Sequence, residues 1–341
     1  MTTGDDARPV VVLYTGGTFG MVPTDSGLAP HPHLHEQVAA LVGDRASAPW
    51  SYAETPRAID SAEASYAVFG ELVDQVRGLV AERNPRAVVV IHGTDSMAYS
   101  AAFAAFALAD LAVPVVFTGS QLPLGAPDSD APGNFRFAFE SAAGGLEQGV
   151  SIAFDGRLLP AVRATKRSSS DPFGFHVAKG GAAAGDPLPA PLAEALRAAA
   201  GQPVPAVGLV KVSPGLGARM LAAALQEAPG GLVLESYGAG TAPVRGNGLG
   251  EPLRAAAERG QAVVAVTQCA HGGVDLGRYA VGADLADLGV TGGGDLTTEA
   301  ALGKLAALGR AGLVGDDLRR ALAANLVGEL GAEFAEVEPI T

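Results

Sequence analysis

With 341 residues the chain has room for two domains, each large enough for its own core. Hydrophobic residues at 48% against 17% charged exclude a chain too polar to fold. A balance of 23 basic to 36 acidic residues, net −13, argues against nucleic acid or an anionic membrane as partner, and one cysteine, Cys269, allows neither an internal disulfide nor a Cys-rich zinc site.

At the N-terminus Asp5 and Asp6 precede an apolar run of only five, Val10 to Tyr14, which does not read as a signal peptide. The longest apolar run, Met97 to Ala109, is stopped by Asp110 and falls short of a membrane span. The expectation is a soluble, cytoplasmic protein. Val10–Tyr14, Ala87–Ile91, Pro114–Thr118 and Val150–Phe154 read as buried strands by length and β-branching. A helix is expected after Ser65, with Val68, Phe69, Leu72, Val73, Val76, Leu79 and Val80 on one face and Asn84-Pro85 closing it. Met97–Leu111 reads as a buried helix and Phe135–Leu146 as another, while Ser168–Asp186 has no clear period and reads as loop.

A Pro- and Ala-rich stretch, Pro187 to Pro205, interrupts this pattern. Strands at Ala206–Val212, Gly231–Glu235 and Ala262–Val266 then alternate with helices at Ala218–Glu227, Glu251–Arg259 and Thr298–Leu308. Repeated β-α-β predicts an α/β protein of two domains, each with a largely parallel sheet flanked by helices. The expected division is 1–195, a linker at 196–205, and 206–341.

Ligands of open parallel sheets bind beyond the carboxyl ends of the strands. Those positions hold Thr15-Gly16-Gly17-Thr18, His92-Gly93-Thr94-Asp95-Ser96 and Thr118-Gly119-Ser120-Gln121, then Ser236-Tyr237-Gly238-Ala239-Gly240-Thr241 and Thr267-Gln268-Cys269. Each is a cluster of hydroxyls, amides and glycines. The chain has no G-x-G-x-x-G, no G-x-x-x-x-G-K-[ST] and no G-x-S-x-G, so dinucleotide, P-loop and α/β-hydrolase chemistry lose their main support. His31, His33 and His35 alternate, but no carboxylate or cysteine pattern around them makes a metal site.

Two readings stand at each chemical candidate. Thr18 is either a turn residue beside Gly16 and Gly17 or a nucleophile. Thr94-Asp95 caps the helix that follows, serves a site, or does both. Lys166, in Arg163-Ala-Thr-Lys166-Arg167, is either a solvated basic loop or a proton-handling group. The second reading has a chemical motive, because the chain prefers Arg, and Arg cannot give up its proton whereas Lys can. Lys179, Lys211 and Lys304 read as ordinary charges that Arg should replace nearly silently. Cys269 reads as a small buried residue rather than a nucleophile, and Asp284, Asp287 and Glu299 as helix-capping or helix-flanking groups.

Taken together, Thr15-Gly-Gly-Thr18, His92-Gly-Thr-Asp-Ser-Met97, Pro114-Val-Val-Phe-Thr-Gly-Ser-Gln-Leu-Pro123, Ser129-Asp130, Asn134 and Arg163-Ala-Thr-Lys166 resemble the ordered motifs of bacterial L-asparaginases. Tyr237-Gly-Ala-Gly, Thr267-Gln-Cys269 and Gly292-Gly-Gly-Asp-Leu-Thr-Thr-Glu-Ala300 are similar to the type I, cytoplasmic branch. The resemblance runs from about Val10 to Glu329. It implies an asparaginase-like fold with a flavodoxin- or Rossmann-like C-terminal domain, and hydrolysis of L-asparagine to L-aspartate and ammonia without metal or cofactor. Thr18 would be the nucleophile, and Thr94, Asp95 and Lys166 the proton-transfer group. Gly17, Asp60, Ser61, Ala62, Gly93 and Ser120 would bind the substrate. Thr241, Thr267, Gln268 and Cys269 fall where type I enzymes bind an effector. The implied partners are a small-molecule amide and further copies of the chain, as a homodimer or homotetramer. The chain departs from the family pattern at Leu28, where a lid tyrosine is usual, at Ala62 and at Thr241, and it lacks the expected Ser-Pro-Asn after Lys166. Those departures keep two alternatives in view: another small amide, such as glutamine or an acylamide, and an amino-acid-binding protein with little turnover.

Overall fold

The computed structural model describes residues 8–24, 27–43, 47–171, 173–181, 184–245, 248–277 and 280–334. They form two compact units, one of residues up to 101 with 111–176, the other of 102–110 with 177 onward.

The first unit is built on β1 (Val10–Tyr14), the hairpin β2 (Met21–Thr24) and β3 (Gly27–Pro30), α1 (Leu34–Val42), β4 (Trp50–Glu54), α2 (Tyr66–Arg83) and β5 (Ala87–Ile91). It continues through α3 (Met97–Ala107), whose last turns count with the second unit, then β6 (Val115–Thr118), α4 (Ala131–Ala143), β7 (Val150–Phe154), β8 (Arg157–Pro160), β9 (Ala164–Lys166) and β10 (Phe175–Val177). Six strands make one sheet in the order β4-β1-β5-β6-β7-β8. It is parallel except for β8, which turns back on β7. β1 and β5 are fully buried, which is why both read as continuous apolar runs rather than alternating ones. Val10, Val12 and Tyr14 point to one face and pack with Phe19, Leu34, Val38 and Phe135. The register sets Tyr14 beside Ile91 and Ile91 beside Thr118, so the three following loops start side by side.

α2 buries Phe69, Leu72, Val73, Val76 and Leu79 along one stripe. It ends where Asn84 turns left-handed, φ 44°, and returns its N–H to Val80 O. Ser65 stands at the N-cap position but makes no side-chain cap bond. Residues 168–186 are not all loop: β10 pairs with β9. Three-residue strands are too short to leave a period in the sequence, so this pairing was invisible there.

The second unit contains α5 (Ala190–Ala198), β11 (Gly208–Lys211), α6 (Ala218–Glu227), β12 (Leu232–Ser236), α7 (Gly250–Glu258), β13 (Val263–Thr267), α8 (Ala280–Asp287), β14 (Val290–Gly292), α9 (Thr298–Arg310) and α10 (Gly315–Ala323). Its sheet is parallel throughout, in the order β11-β12-β13-β14. α5 forms inside the Pro- and Ala-rich stretch, with Leu192 and Leu196 buried on one side. Glu299 lies in the first turn of α9, which Thr297 caps by accepting the Ala300 N–H at 3.0 Å. Asp287 ends α8, and Asp284 within that helix pairs with Arg245.

Lys304 does not behave as an ordinary charge. Its side chain is fully buried and its Nζ lies 2.7 Å from the equally buried Glu329 carboxylate. The ammonium also donates to Leu322 O and Ala324 O, and Glu329 receives the Leu326 and Val327 N–H groups. Lys179 likewise donates to Thr267 O and Leu296 O, which leaves the exposed Lys211 as the surface charge the sequence suggested. No described helix is long and apolar enough to cross a membrane.

Candidate active site

The site is assembled by main chain. Gly16 and Gly17 take φ of 128° and 86°, a region L side chains avoid. A Cβ on Gly16 would strike Ile59 O, one on Gly17 would strike the Gly93 backbone, and one on Gly93 would strike the Ser61 side chain. Gly119 is pressed against His92 O in the same way. Four loops, after β1, β4, β5 and β6, therefore meet with almost no side chain between them. Thr15 fastens the first of them, donating its N–H and hydroxyl to Ile91 O at 3.0 and 2.9 Å while its carbonyl accepts the Ile59 N–H at 2.6 Å.

Thr18 opens a single 3-10 turn, Thr18–Gly20, and is half-buried. Leu124 N–H donates to Phe19 O at 3.1 Å and His31 N–H to Gly20 O at 2.8 Å, which fixes the turn at the base of the β2–β3 hairpin. The Leu28 backbone lies on that hairpin, opposite Pro23. Tyr14 packs its ring in the core with Phe19 and sets its hydroxyl against Gly20; burial pushes that hydroxyl up to about 12, with Glu54 adding to the effect.

Thr94 is buried at the end of β5, and Lys166 is the last residue of β9. The Lys166 Nζ donates to Thr94 Oγ1 at 3.0 Å and to Asp95 Oδ1 at 2.6 Å. Its side chain is 21% exposed, so the solvated-loop reading of Lys166 does not hold. Asp95 remains open to solvent, at 64%. The structure thus joins three of the four candidate catalytic groups directly, with Thr18 on the neighbouring loop across the Gly17–Gly93 contact.

Ser61 is buried against Gly93. Asp60 is exposed and accepts the Ala62 N–H at 3.0 Å, shaping that loop as an Asx turn. Ser120 is buried, and its hydroxyl donates its proton to Leu122 O at 2.5 Å, so toward a ligand it could only accept. Two neighbours of the site were not singled out by sequence reasoning. His92 is fully buried and its Nδ1 lies 2.7 Å from Gly93 O, to which it can only donate. Burial drives its pKa down to about 4, slightly opposed by that bond, so the ring is neutral. Gln121, the last residue of Thr118-Gly-Ser-Gln, reaches Thr94; an amide in a polar loop after a strand was the available signal.

In the second unit, Thr241 closes a turn with Tyr237, bonded both ways at 2.9 Å. Gln268 spends its amide on Val212 O and Glu235 O, at 2.6 and 2.8 Å. Thr267 Oγ1 accepts the Cys269 N–H at 3.1 Å, and Cys269 is exposed rather than buried, because it lies in the loop beyond the end of β13. Three of the four candidate effector residues are thus tied into the local fold. Among the described residues no three His, Cys, Asp or Glu side chains are arranged to hold a metal; His35 instead stacks on Tyr52, ring centroids 4.8 Å apart.

Residues 9–185 match the family model of the asparaginase N-terminal domain, and residues 206–322 that of the glutaminase/asparaginase C-terminal domain. L-asparaginase 1 of Escherichia coli K12 is 34% identical over 95% of this chain and 98% of its own. Two solved structures share the fold over 95% of this chain and 99% of theirs. The thermostable L-asparaginase from Thermococcus kodakarensis has a TM-score of 0.79 at 30% identity, and L-asparaginase I from Vibrio cholerae O1 biovar eltor a TM-score of 0.78 at 29% identity. Motifs, fold and both domain matches agree, and the chain belongs to the asparaginase family.

Proposed function

We propose that this protein is an amidohydrolase that converts L-asparagine to L-aspartate and ammonia. The observation that carries the reading is the Lys166–Thr94–Asp95 group, bonded at 3.0 and 2.6 Å, across the Gly17–Gly93 contact from the loop that carries Thr18. A neutral hydroxyl is a poor nucleophile and needs a nearby base. Thr18 Oγ attacks the side-chain amide carbon, and its proton passes through the Thr94–Lys166 group to the leaving nitrogen, which departs as ammonia. Water then attacks the Thr18 ester, releasing L-aspartate and restoring the hydroxyl proton. Main-chain N–H groups of the Gly17 and Gly93 loops hold the oxyanion. Asp60, Ser61 and Ala62 receive the substrate's α-ammonium and α-carboxylate, and the main chain of Ser120 borders the amide.

Ammonia release from a panel of asparagine, glutamine and short acylamides tests the reaction, and mass spectrometry of stalled enzyme tests the nucleophile. Asparagine as the preferred substrate, with an acyl adduct at Thr18 and none in Thr18→Ala, supports the reading. Wild-type-like release from folded Thr18→Ala would overturn the nucleophile assignment. A different amide becomes the better reading if the panel ranks it first, and Ala62 and Leu28 are the residues that favour it. Binding without turnover of any panel member would instead make the chain an amino-acid-binding protein.

We further assign the chain to the cytoplasm as a homodimer or homotetramer, from its similarity to the type I branch, with analytical ultracentrifugation as the check. An effector site at Thr241, Thr267, Gln268 and Cys269 rests on the same similarity. It requires a sigmoidal dependence of rate on asparagine, and a hyperbolic curve removes it.

A further inference from the structure

We infer that Gln121 is a positioning residue for the Thr94–Lys166 pair, setting the direction of the Thr94 hydroxyl proton. This rests on the reading above, in which that pair moves the proton. Gln121 Nε2 donates to Ser168 O at 3.3 Å, two residues beyond Lys166. A carbonyl can only accept, so the amide orientation is settled: Oε1 is the atom that faces Thr94. The Thr94 hydroxyl has one proton, and it goes to Gln121 Oε1 at 3.5 Å. Thr94 Oγ1 is then left as acceptor toward the Lys166 ammonium at 3.0 Å. The result is a single directed chain, from Lys166 Nζ to Thr94 Oγ1 to Gln121 Oε1, and from Gln121 Nε2 to Ser168 O.

The seat of Gln121 is built on both sides. Its own N–H donates to the two Asp130 carboxylate oxygens at 3.1 and 2.9 Å. Asp130 also receives the Leu122 N–H at 3.0 Å and Asn134 Nδ2 at 3.1 Å. Asn134 Nδ2 reaches Gly119 O at 3.0 Å, so the backbone from Gly119 to Leu122 is held independently of the Gln121 side chain. On the far side lies Gly174, where a Cβ would come within 2.9 Å of Gln121 Nε2. The Gly174 carbonyl accepts the Arg167 N–H at 2.8 Å, which fastens the segment leaving Lys166. The long Thr94 contact is of the kind that shortens when substrate closes a site.

Two substitutions test this in the full-length enzyme, with ammonia release from asparagine as readout. Gln121→Met keeps the length and loses both amide contacts, while the backbone bonds to Asp130 remain. It should lower kcat by about 10- to 100-fold with KM changed less than about twofold, because orientation is lost and binding is not. Gln121→Glu keeps an acceptor toward Thr94 but loses the donor to Ser168 O, so its kcat should fall between those of Gln121→Met and the wild type with KM again little changed. Unchanged kcat in Gln121→Met, or a Gln121→Glu variant no more active than Gln121→Met, overturns the proposal; if Gln121→Met does not fold, Gln121→Glu against the wild type decides alone, and full kcat there overturns it. Lys166→Met and Thr94→Val are measured alongside. Full activity in those two overturns the proton-transfer reading itself, a result that differs from failure at Gln121 alone.

Discussion

Gly17 and Gly93 meet backbone against backbone, and neither position has room for a Cβ. Gly17 also has φ of 86°, so a side chain there is strained before it touches anything. Gly17→Ala and Gly93→Ala should each separate the loops that carry Thr18 and Thr94. The expected loss in kcat/KM is about 100-fold, since displacements on the scale of an ångström cost that much. The overpacking should cost about 1–3 kcal/mol of stability. Gly78, exposed in α2 with nothing near its would-be Cβ, is the control, and Gly78→Ala should stabilise by about 0.5–1 kcal/mol. Steady-state kinetics and urea unfolding of the three variants make the comparison.

Lys166 is held by Thr94 and Asp95. If it must exchange a proton, Lys166→Arg should be as damaging as Lys166→Met, each reducing kcat by about 10²–10⁴-fold. An Arg variant that keeps most of its activity would show that charge alone is needed. Ammonia release at saturating asparagine distinguishes the two.

His92 should leave a signature in stability rather than in rate. Its folded pKa of about 4 lies below the ordinary 6.5, so the native state disfavours the protonated ring. Above pH 6.5 both states are neutral and nothing is lost; as pH falls from 6.5 toward 4 the unfolded chain takes up the proton and the native chain does not. At pH 5 this should cost about 2 kcal/mol. The stability difference between wild type and His92→Gln should therefore shift in favour of the variant by that amount between pH 7.5 and pH 5. Denaturant titrations at the two pH values measure it, and parallel losses in both proteins would count against His92 as the source.

Lys304 and Glu329 are buried together at 0% exposure. Lys304→Met leaves the Glu329 carboxylate inside without its cation and should cost about 3–5 kcal/mol. Lys304→Arg must fit a larger, planar head among Leu322 O, Ala324 O and Glu329, so it too should destabilise. Lys211→Arg, at an exposed side chain, should leave the unfolding midpoint unchanged. A silent Lys304→Arg would contradict the packing described above.

Leu28 stands on the hairpin that follows the Thr18 turn, at the position where the family resemblance leads one to expect a lid tyrosine. Tyr52 is bonded to Glu54 at 2.7 Å, whereas the buried Tyr14 hydroxyl lies against Gly20 at the end of the Thr18 turn. Leu28→Tyr should raise asparagine turnover, because positioned acid–base assistance is worth about 10²–10⁴-fold where it can be restored. Lower activity on the best amide of the panel would mark the leucine as a substrate contact and favour a bulkier, less polar amide.

The central strands were readable because burial on both faces writes itself as β-branched runs: Val10–Tyr14, Ala87–Ile91 and Val150–Phe154 have the boundaries their composition suggests. The amphipathic helix Ala218–Glu227 was equally clear, with Leu221 and Leu225 on its buried side. Short pairings left no such trace. β2 and β3 carry Pro23 and Pro30 at positions where alternation would be sought, and β8 turns back after a two-residue Asp155-Gly156 turn. At the candidate site, the residue types Thr18, Thr94, Asp95 and Lys166 were legible from their places after strands and in the motifs. The contacts of Gln121 and His92 were not, because each depends on a loop distant in sequence. The burial of Lys304 was hidden for the same reason: only the fold brings Glu329 to it.

The glycine seam bears on how far this protein can be re-engineered. Where Gly16, Gly17, Gly93 and Gly119 touch neighbouring chain, there are no side chains to exchange and no volume to give away. A laboratory library aimed at those positions would consist mostly of broken enzymes. Variation that survives must come from the rim, where Ala62 is exposed and where Leu28 rides on a two-stranded hairpin outside the main sheet. Selection for a new amide should therefore accumulate changes at those two places first, and leave the meeting point of the loops untouched.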